Sequence, residues 1–152
     1  MRRRLKRLRA FRGAGVLFYT VEEGKISVLL GRRSVSPGKN TWSISGGKWD
    51  RYNDGYDQER RPDYVRTAVR ETEEELHYTI DDLSKLVLVW KMTLKGFFVY
   101  RVYAYQLDKK IAFSHNREFY EVGWFGIDEL PKTSNFLIPS QVRKLQKMSK
   151  QP

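Results

Sequence analysis

The chain has 152 residues, 40% hydrophobic and 14% aromatic, enough for one compact domain with a core and little room for a second. It has no cysteine and two histidines, His77 and His115, which excludes disulfides, thiolate zinc sites, cysteine nucleophiles and histidine-rich centres; any metal is held by oxygen. No apolar run approaches the roughly 20 residues that cross a bilayer, and the start of the chain lacks the apolar stretch of a secretory signal, so the expected setting is cytoplasmic, without membrane contact.

The net charge of +11 sits at the ends. Residues 1–12 carry seven basic side chains (Arg2, Arg3, Arg4, Lys6, Arg7, Arg9, Arg12) and residues 141–152 carry four (Arg143, Lys144, Lys147, Lys150), with no acid in either stretch. The remaining 18 Lys and Arg are matched by 18 Asp and Glu, so the body is formally neutral. Basic ends of this kind can hold RNA or another polyanion through counterion release. They also serve as solubilising termini. A mitochondrial transit peptide is a third reading, opposed by strand-like sequence from Gly13 onward. The expected organisation is a basic segment over 1–12 and a single domain over 13–152.

Ala14 to Val21 and Ile26 to Leu30, both rich in β-branched and aromatic residues, read as a hairpin across Glu22-Glu23-Gly24-Lys25. Ser34 to Asn40, with Pro37 and Gly38, is a loop, and Thr41 to Ile44 a short extended piece ending at Gly46-Gly47. Lys48 to Pro62 is a polar excursion expected to be exposed. Asp63 is a candidate N-cap for a helix to about His77, with Val65, Ala68, Val69, Thr72 and Leu76 as its buried stripe. Leu86 to Leu94 and Phe97 to Leu107, joined by Lys95-Gly96, form a second antiparallel pair, and Glu118 to Phe125 a further strand. Ile127 to Pro131 reads as a helical turn stopped by proline. Ser140 is the expected cap of a last helix, about 140–150. Several strands with a helix in mid-chain and another at the end imply an α/β arrangement, a mixed sheet covered by helices.

On the mid-chain helix Glu71, Glu74 and Glu75 share a face, beside the apolar stripe and so at the edge of a cleft. Three converging carboxylates repel one another unless a cation neutralises them, and such hard ligands suit Mg²⁺ or Mn²⁺. An acidic helix face alone is weak evidence, because most bind nothing. Its context adds more.

Gly47 followed by Arg70-Glu71-Thr72-Glu73-Glu74-Glu75 resembles the signature of the Nudix hydrolases, G-x5-E-x7-R-E-U-x-E-E-x-G-U, with U aliphatic; Gly47, Arg70, Glu71, Glu74 and Glu75 match it. Flanking features are similar to the family as well: Val28 to Arg33, Trp42, Glu118-x-x-Glu121-x-x-Trp124-Phe125 and Asp128 to Pro131. There are three departures. The loop between Gly47 and Arg70 has nine extra residues, and Pro62 stands where the box has its first Glu, leaving Asp50, Asp57 or Glu59 as replacements with nothing to select one. Thr72 occupies an aliphatic position, tolerable if its hydroxyl bonds back to a helix carbonyl. His77 replaces the second glycine, where a left-handed conformation is usual.

The resemblance implies a Nudix-like α/β/α sandwich and attack by water on a nucleoside diphosphate linked to another group. It implies Glu71, Glu74 and Glu75 as metal ligands with the Gly46 carbonyl, and Arg70 as a residue that orients carboxylates. For the base, Glu118 stands first by its place before Trp124, with Glu71 or a loop acid as rivals. Arg32 and Arg33 are candidates to grip phosphates, and Trp49 and Tyr52 to stack on a base; Trp42 reads as core. Two other functions stay open: a nucleotide- or RNA-binding module of this fold without turnover, and a hydrolase of capped RNA tethered by the basic ends.

Overall fold

The computed structural model describes residues 10–150. Residues 1–9, with six of the seven basic side chains of the N-terminal segment, and residues 151 and 152 lie outside the described residues.

The central strand is β1, Phe11–Glu22. Ala14, Val16 and Phe18 point into one core and Leu17 and Tyr19 into the other. Because both faces are covered, the strand reads as a continuous apolar run. Glu23 and Gly24, with φ of 51° and 74°, form the two-residue turn whose twist suits a hairpin. β2, Lys25–Arg33, returns antiparallel, as expected.

β2 pairs with β1 only between Lys25 and Val28. Beyond it the chain opens a fork, in which β3, Trp42–Ser43, pairs with β2 and β4, Ser45–Lys48, pairs with β1. Buried Ile44 marks the change of partner. Gly46 and Gly47, expected to end an extended piece, therefore lie inside β4. Next, β5, Val87–Leu94, and β6, Phe98–Gln106, form the expected antiparallel pair. β6 lies parallel to β1 from Phe11 to Tyr19, which makes the sheet mixed. β7, Phe119–Gly126, starts one residue later than the expected Glu118 and pairs with β2.

Helix α1, Tyr64–Leu76, is capped by the Asp63 carboxylate, which accepts from the Arg66 amide at 3.1 Å. It ends at His77, which adopts the left-handed conformation (φ 51°, ψ 35°) of the glycine it replaces. The buried stripe differs from the expected one. It runs Tyr64, Thr67, Ala68, Thr72, Glu75 and Leu76, with Val65 and Val69 only partly buried. Polar members fit because each has a partner: the Thr67 hydroxyl donates to Asp54, Thr72 pairs with the Ser45 hydroxyl at 3.3 Å rather than with a helix carbonyl, and Glu75 accepts from the Gly46 amide.

Helix α2, Ile138–Ser149, begins two residues before Ser140. Ser140 is no cap; its hydroxyl accepts from the Trp90 indole at 2.7 Å, and Pro139 occupies the first turn, where its missing N–H is no loss. Residues 127–131 form a turn instead of a helix, closed by the Glu129 amide on the Gly126 carbonyl. α1 packs on β1, β4 and β6, and α2 on β5, against opposite cores, giving an α/β/α sandwich. Leu145, fully buried on α2, joins the core of Leu17, Val28 and Val102. Leu145→Ala is expected to cost about 2–5 kcal/mol, read from the urea midpoint; a loss below about 1 kcal/mol would show that α2 is not integral to this core.

Candidate active site

The site is organised by Arg70, at the end of the second turn of α1. Its Nε and Nη2 donate to the two oxygens of Asp54 at 2.7 and 2.9 Å, a bidentate pair. Its Nη2 also reaches the Lys48 carbonyl at 2.9 Å, and Nη1 reaches Glu71 at 3.0 Å and Glu74 at 3.3 Å. Asp54 is fully buried, and its Oδ2 accepts further from the Thr67 hydroxyl and the Asp50 amide, each at 2.9 Å. Burial raises the Asp54 carboxyl, but Arg70 and the other donors more than reverse this and hold it below the usual carboxylate range.

Asp54 was not among the expected replacements for the acid lost at Pro62. The three candidates are spent elsewhere in the loop. Asp50 accepts from the Tyr52 and Asn53 amides, Asp57 from the Glu59 and Arg61 amides, and Glu59 pairs with Arg61. The excursion from Lys48 to Pro62 is thus a structured loop with a buried carboxylate at its centre, not a wholly exposed one. The signal in the sequence is turn chemistry: Asp50 closes one turn, and Gly55, at φ 64°, follows Asp54 directly.

Glu75, only 1% exposed, lies within the buried face of α1, not beside it. Its Oε1 accepts from the Gly46 amide at 3.0 Å, while Oε2 is buried with no hydrogen-bond partner. Burial and the neighbouring Glu71 and Glu118 carboxylates push the Glu75 carboxyl up to about 9. Glu71, half-hidden beneath β4, is raised mainly by burial. Glycine is required at Gly46, where a Cβ would meet the Ala14 carbonyl at 2.7 Å; a Cβ at Gly47 would fall 2.5 Å from Glu71 Oε1 and displace that carboxylate.

Glu118 stands in the loop before β7. That loop is tied to α1 by the Asn116 amide, which donates to the Glu75 carbonyl at 2.9 Å, and to β2 by the Ser34 amide on the Glu118 carbonyl at 2.8 Å. Asn116 in turn accepts from the Glu118 amide at 2.9 Å. Glu71 and Glu118 are thus the carboxylates that neighbour Glu75, whereas Glu74 is exposed and turned toward Arg70. Among the described residues no three acidic or histidine side chains already converge as a ligand set. Arg70 Nη1 lies between Glu71 and Glu74 and pairs with both.

The other candidates divide. Arg32 lies 3.5 Å from Glu121 and over the Tyr120 ring, and the Arg33 Nε donates to the Pro37 carbonyl at 2.8 Å. Trp49 is a fixed wall, its indole donating to the Gly55 carbonyl at 2.9 Å and its ring edge-on to Tyr56. Tyr52 is 91% exposed. Trp49 and Tyr52 line a cleft of about 650 Å³ that reaches Arg70 and Glu71. Trp42 packs edge-on against Phe125, as a core residue does.

The architecture is an α/β/α sandwich in which a carboxylate-bearing helix is laid against a Gly-Gly strand. The NUDIX domain model matches residues 10–145, and the chain belongs to that family. Its members are hydrolases of phosphorus-containing anhydrides that generally use divalent metal ions. A search of curated proteins found no match. Among solved structures, a C. elegans Ap4A hydrolase in a binary complex has a TM-score of 0.68 and 22% identity over 92% of this chain and 98% of its own. The NUDIX domain of Shewanella oneidensis NrtR, complexed with ADP ribose, has a TM-score of 0.65 and 16% identity over 90% and 88%. An Enterococcus faecalis MutT/nudix family protein has a TM-score of 0.61 and 18% identity over 77% of this chain; the chain spans 44% of its length. No helix among the described residues is long and apolar enough to cross a membrane.

Two outcomes are expected of the buried acids. Asp54→Asn removes the counter-charge of Arg70 and is expected to cost about 2 kcal/mol in urea unfolding, where a neutral result would remove Asp54 from its organising place. Glu75 holds its proton in the folded chain up to about pH 9 but loses it near 4.5 when unfolded. The folded state thus binds more protons between these values, and stability falls as pH rises through that window. Glu75→Gln is expected to flatten this slope in chelator-treated protein; a slope left intact would assign it to another group.

Proposed function

We propose that the protein is a Mg²⁺-dependent hydrolase that cleaves a phosphoanhydride bond of a nucleoside diphosphate linked to another group. The observation that carries this reading is the Glu75 carboxyl: buried, one oxygen unpartnered, and set against Glu71 and Glu118. Such a group is costly without a cation or a proton to neutralise it. Oxygen donors of this kind fit Mg²⁺ or Mn²⁺. Glu71, Glu74 and Glu75, with the Gly46 carbonyl, are the residues that would hold the ion. When bound, it offsets charge on the diphosphate and acidifies the attacking water.

The chain's own residues supply the rest. Glu118, held on a loop tied to the Glu75 carbonyl, is the first candidate to take the proton from that water, with Glu71 as its rival. Arg70 is a positioning residue whose Nη1 holds Glu71 and the more exposed Glu74 on one helix face. Arg33, at the end of β2 with its Nε on the Pro37 carbonyl, is a candidate to meet substrate phosphate, while Arg32 is engaged with Glu121.

A second reading, a nucleotide- or RNA-binding module without turnover, is favoured by one feature: Arg70 already neutralises Glu71 and Glu74. Capped RNA as substrate rests on the basic ends, most of which lie outside the described residues. A panel of nucleoside triphosphates, dinucleoside polyphosphates, nucleotide sugars and capped RNA with Mg²⁺ separates these readings by product. Removing an outer-shell partner of a metal typically costs about 10–100-fold, so Glu75→Gln and Glu74→Gln are expected to lower kcat by at least about 100-fold. Undiminished turnover in both variants would sink the hydrolase reading; no turnover by the native protein on any substrate would favour the binding module.

A further inference from the structure

We infer that the cleft beside Glu71 is a separate anion subsite, which takes a phosphate group of the substrate beyond the diphosphate that is cleaved. This deepens the hydrolase reading and rests on it for the word substrate. Three cations, Arg12, Lys48 and Arg51, line the cleft together with Trp49 and Tyr52, and Glu71 belongs to its wall.

The backbone places these cations together. Gly13 pairs with Lys48 across β1 and β4, and the Trp49 amide donates to the Arg12 carbonyl at 2.7 Å, so Arg12 and Lys48 flank one edge. The long loop then turns at Asp50, whose carboxylate accepts from the Tyr52 amide at 2.8 Å and the Asn53 side chain at 3.0 Å, and this turn carries Arg51 to the same opening. The loop that departs from the family spacing is therefore the one that builds this cleft.

Charge bookkeeping shows what the cleft would take. Its two carboxylates are committed, Asp50 to its own turn and Glu71 to Arg70. Among the described residues none of Arg12, Lys48 and Arg51 is paired with an acid. Three like charges around one concavity repel one another, and a concave wall focuses their field, so an anion is the favoured occupant. The size selects among anions. A cleft of about 650 Å³ is that of a small-molecule site, not of a track for an extended strand. Trp49, pinned by Gly55 and Tyr56, gives it a rigid wall, and the exposed Tyr52 stands at its lip. Because Glu71 is shared with the carboxylate site, one compact polyphosphorylated molecule can occupy both.

The test is binding of inorganic tripolyphosphate by calorimetry, with chelator present so that turnover plays no part. The native protein is expected to bind it, more weakly as salt rises because exposed charges are screened. Arg12→Gln with Arg51→Gln is expected to weaken binding about tenfold or more, and the paired Lys substitutions to restore most of it. Both arginines are exposed, and Arg51→Glu alone, on the loop, should shift affinity in the same direction. Absence of binding by the native protein, or equal binding by the neutralised variant, overturns the subsite. So does a variant that loses single-stranded RNA and keeps tripolyphosphate, which would mark a nucleic-acid face. Failure of the Glu75 and Glu74 variants to reduce turnover would remove the hydrolase reading and leave this binding result standing, so the two fail separately.

Discussion

The Arg70–Asp54 ion pair is the constraint on which the rest of the site depends. A guanidinium mostly withdrawn from water needs a counter-charge, and a fully buried carboxylate needs donors for both oxygens. Each supplies the other. Asp54 can reach Arg70 only if the loop from Trp49 to Pro62 folds down onto α1, so the pair converts a long insertion into a built wall. The remaining Nη1 of Arg70 then pairs with both Glu71 and the exposed Glu74.

On the inner side the constraint is space. Gly46 and Gly47 let β4 approach α1 closely enough for the Gly46 amide to meet Glu75 and for Glu71 to lie beneath Gly47. The result is a carboxylate pair held in contact and out of water, a state that raises both carboxyls and leaves one oxygen without a partner. Buried like charges of this sort are a cost to the fold, and such costs are commonly retained at functional sites. The fork between β1 and β2 serves the same end, since β4 can sit over α1 only because β2 has turned away toward β3 and β7.

Likeness to solved structures at 16–22% identity speaks to the fold. What distinguishes this chain lies in the segments that depart from the family pattern. The lengthened loop brings Asp54 into the site and Arg51 to its rim. His77 closes the helix as a glycine would, so that departure leaves the backbone path unchanged.

Much was legible from order and residue type. The hairpin, the Asp63 cap and the β5–β6 pair follow from local rules: period, turn residues and capping side chains, each acting over a few positions. The places where local rules failed are those where a distant group competed. Ser140 has a capping side chain, but the Trp90 indole, 50 residues away, claims its hydroxyl. Thr72 bonds to Ser45 across the sheet and not to its own helix. Asp50, Asp57 and Glu59 were equal to Asp54 as sequence; only the folded loop shows which carboxylate turns inward. The sequence by itself determined the family, the sandwich and the helix that carries the acids, because these rest on short-range pattern. Tertiary structure alone decided that Glu75 is buried, that Arg70 answers to Asp54, and that three cations share one cleft, because burial and charge pairing depend on which distant segments meet.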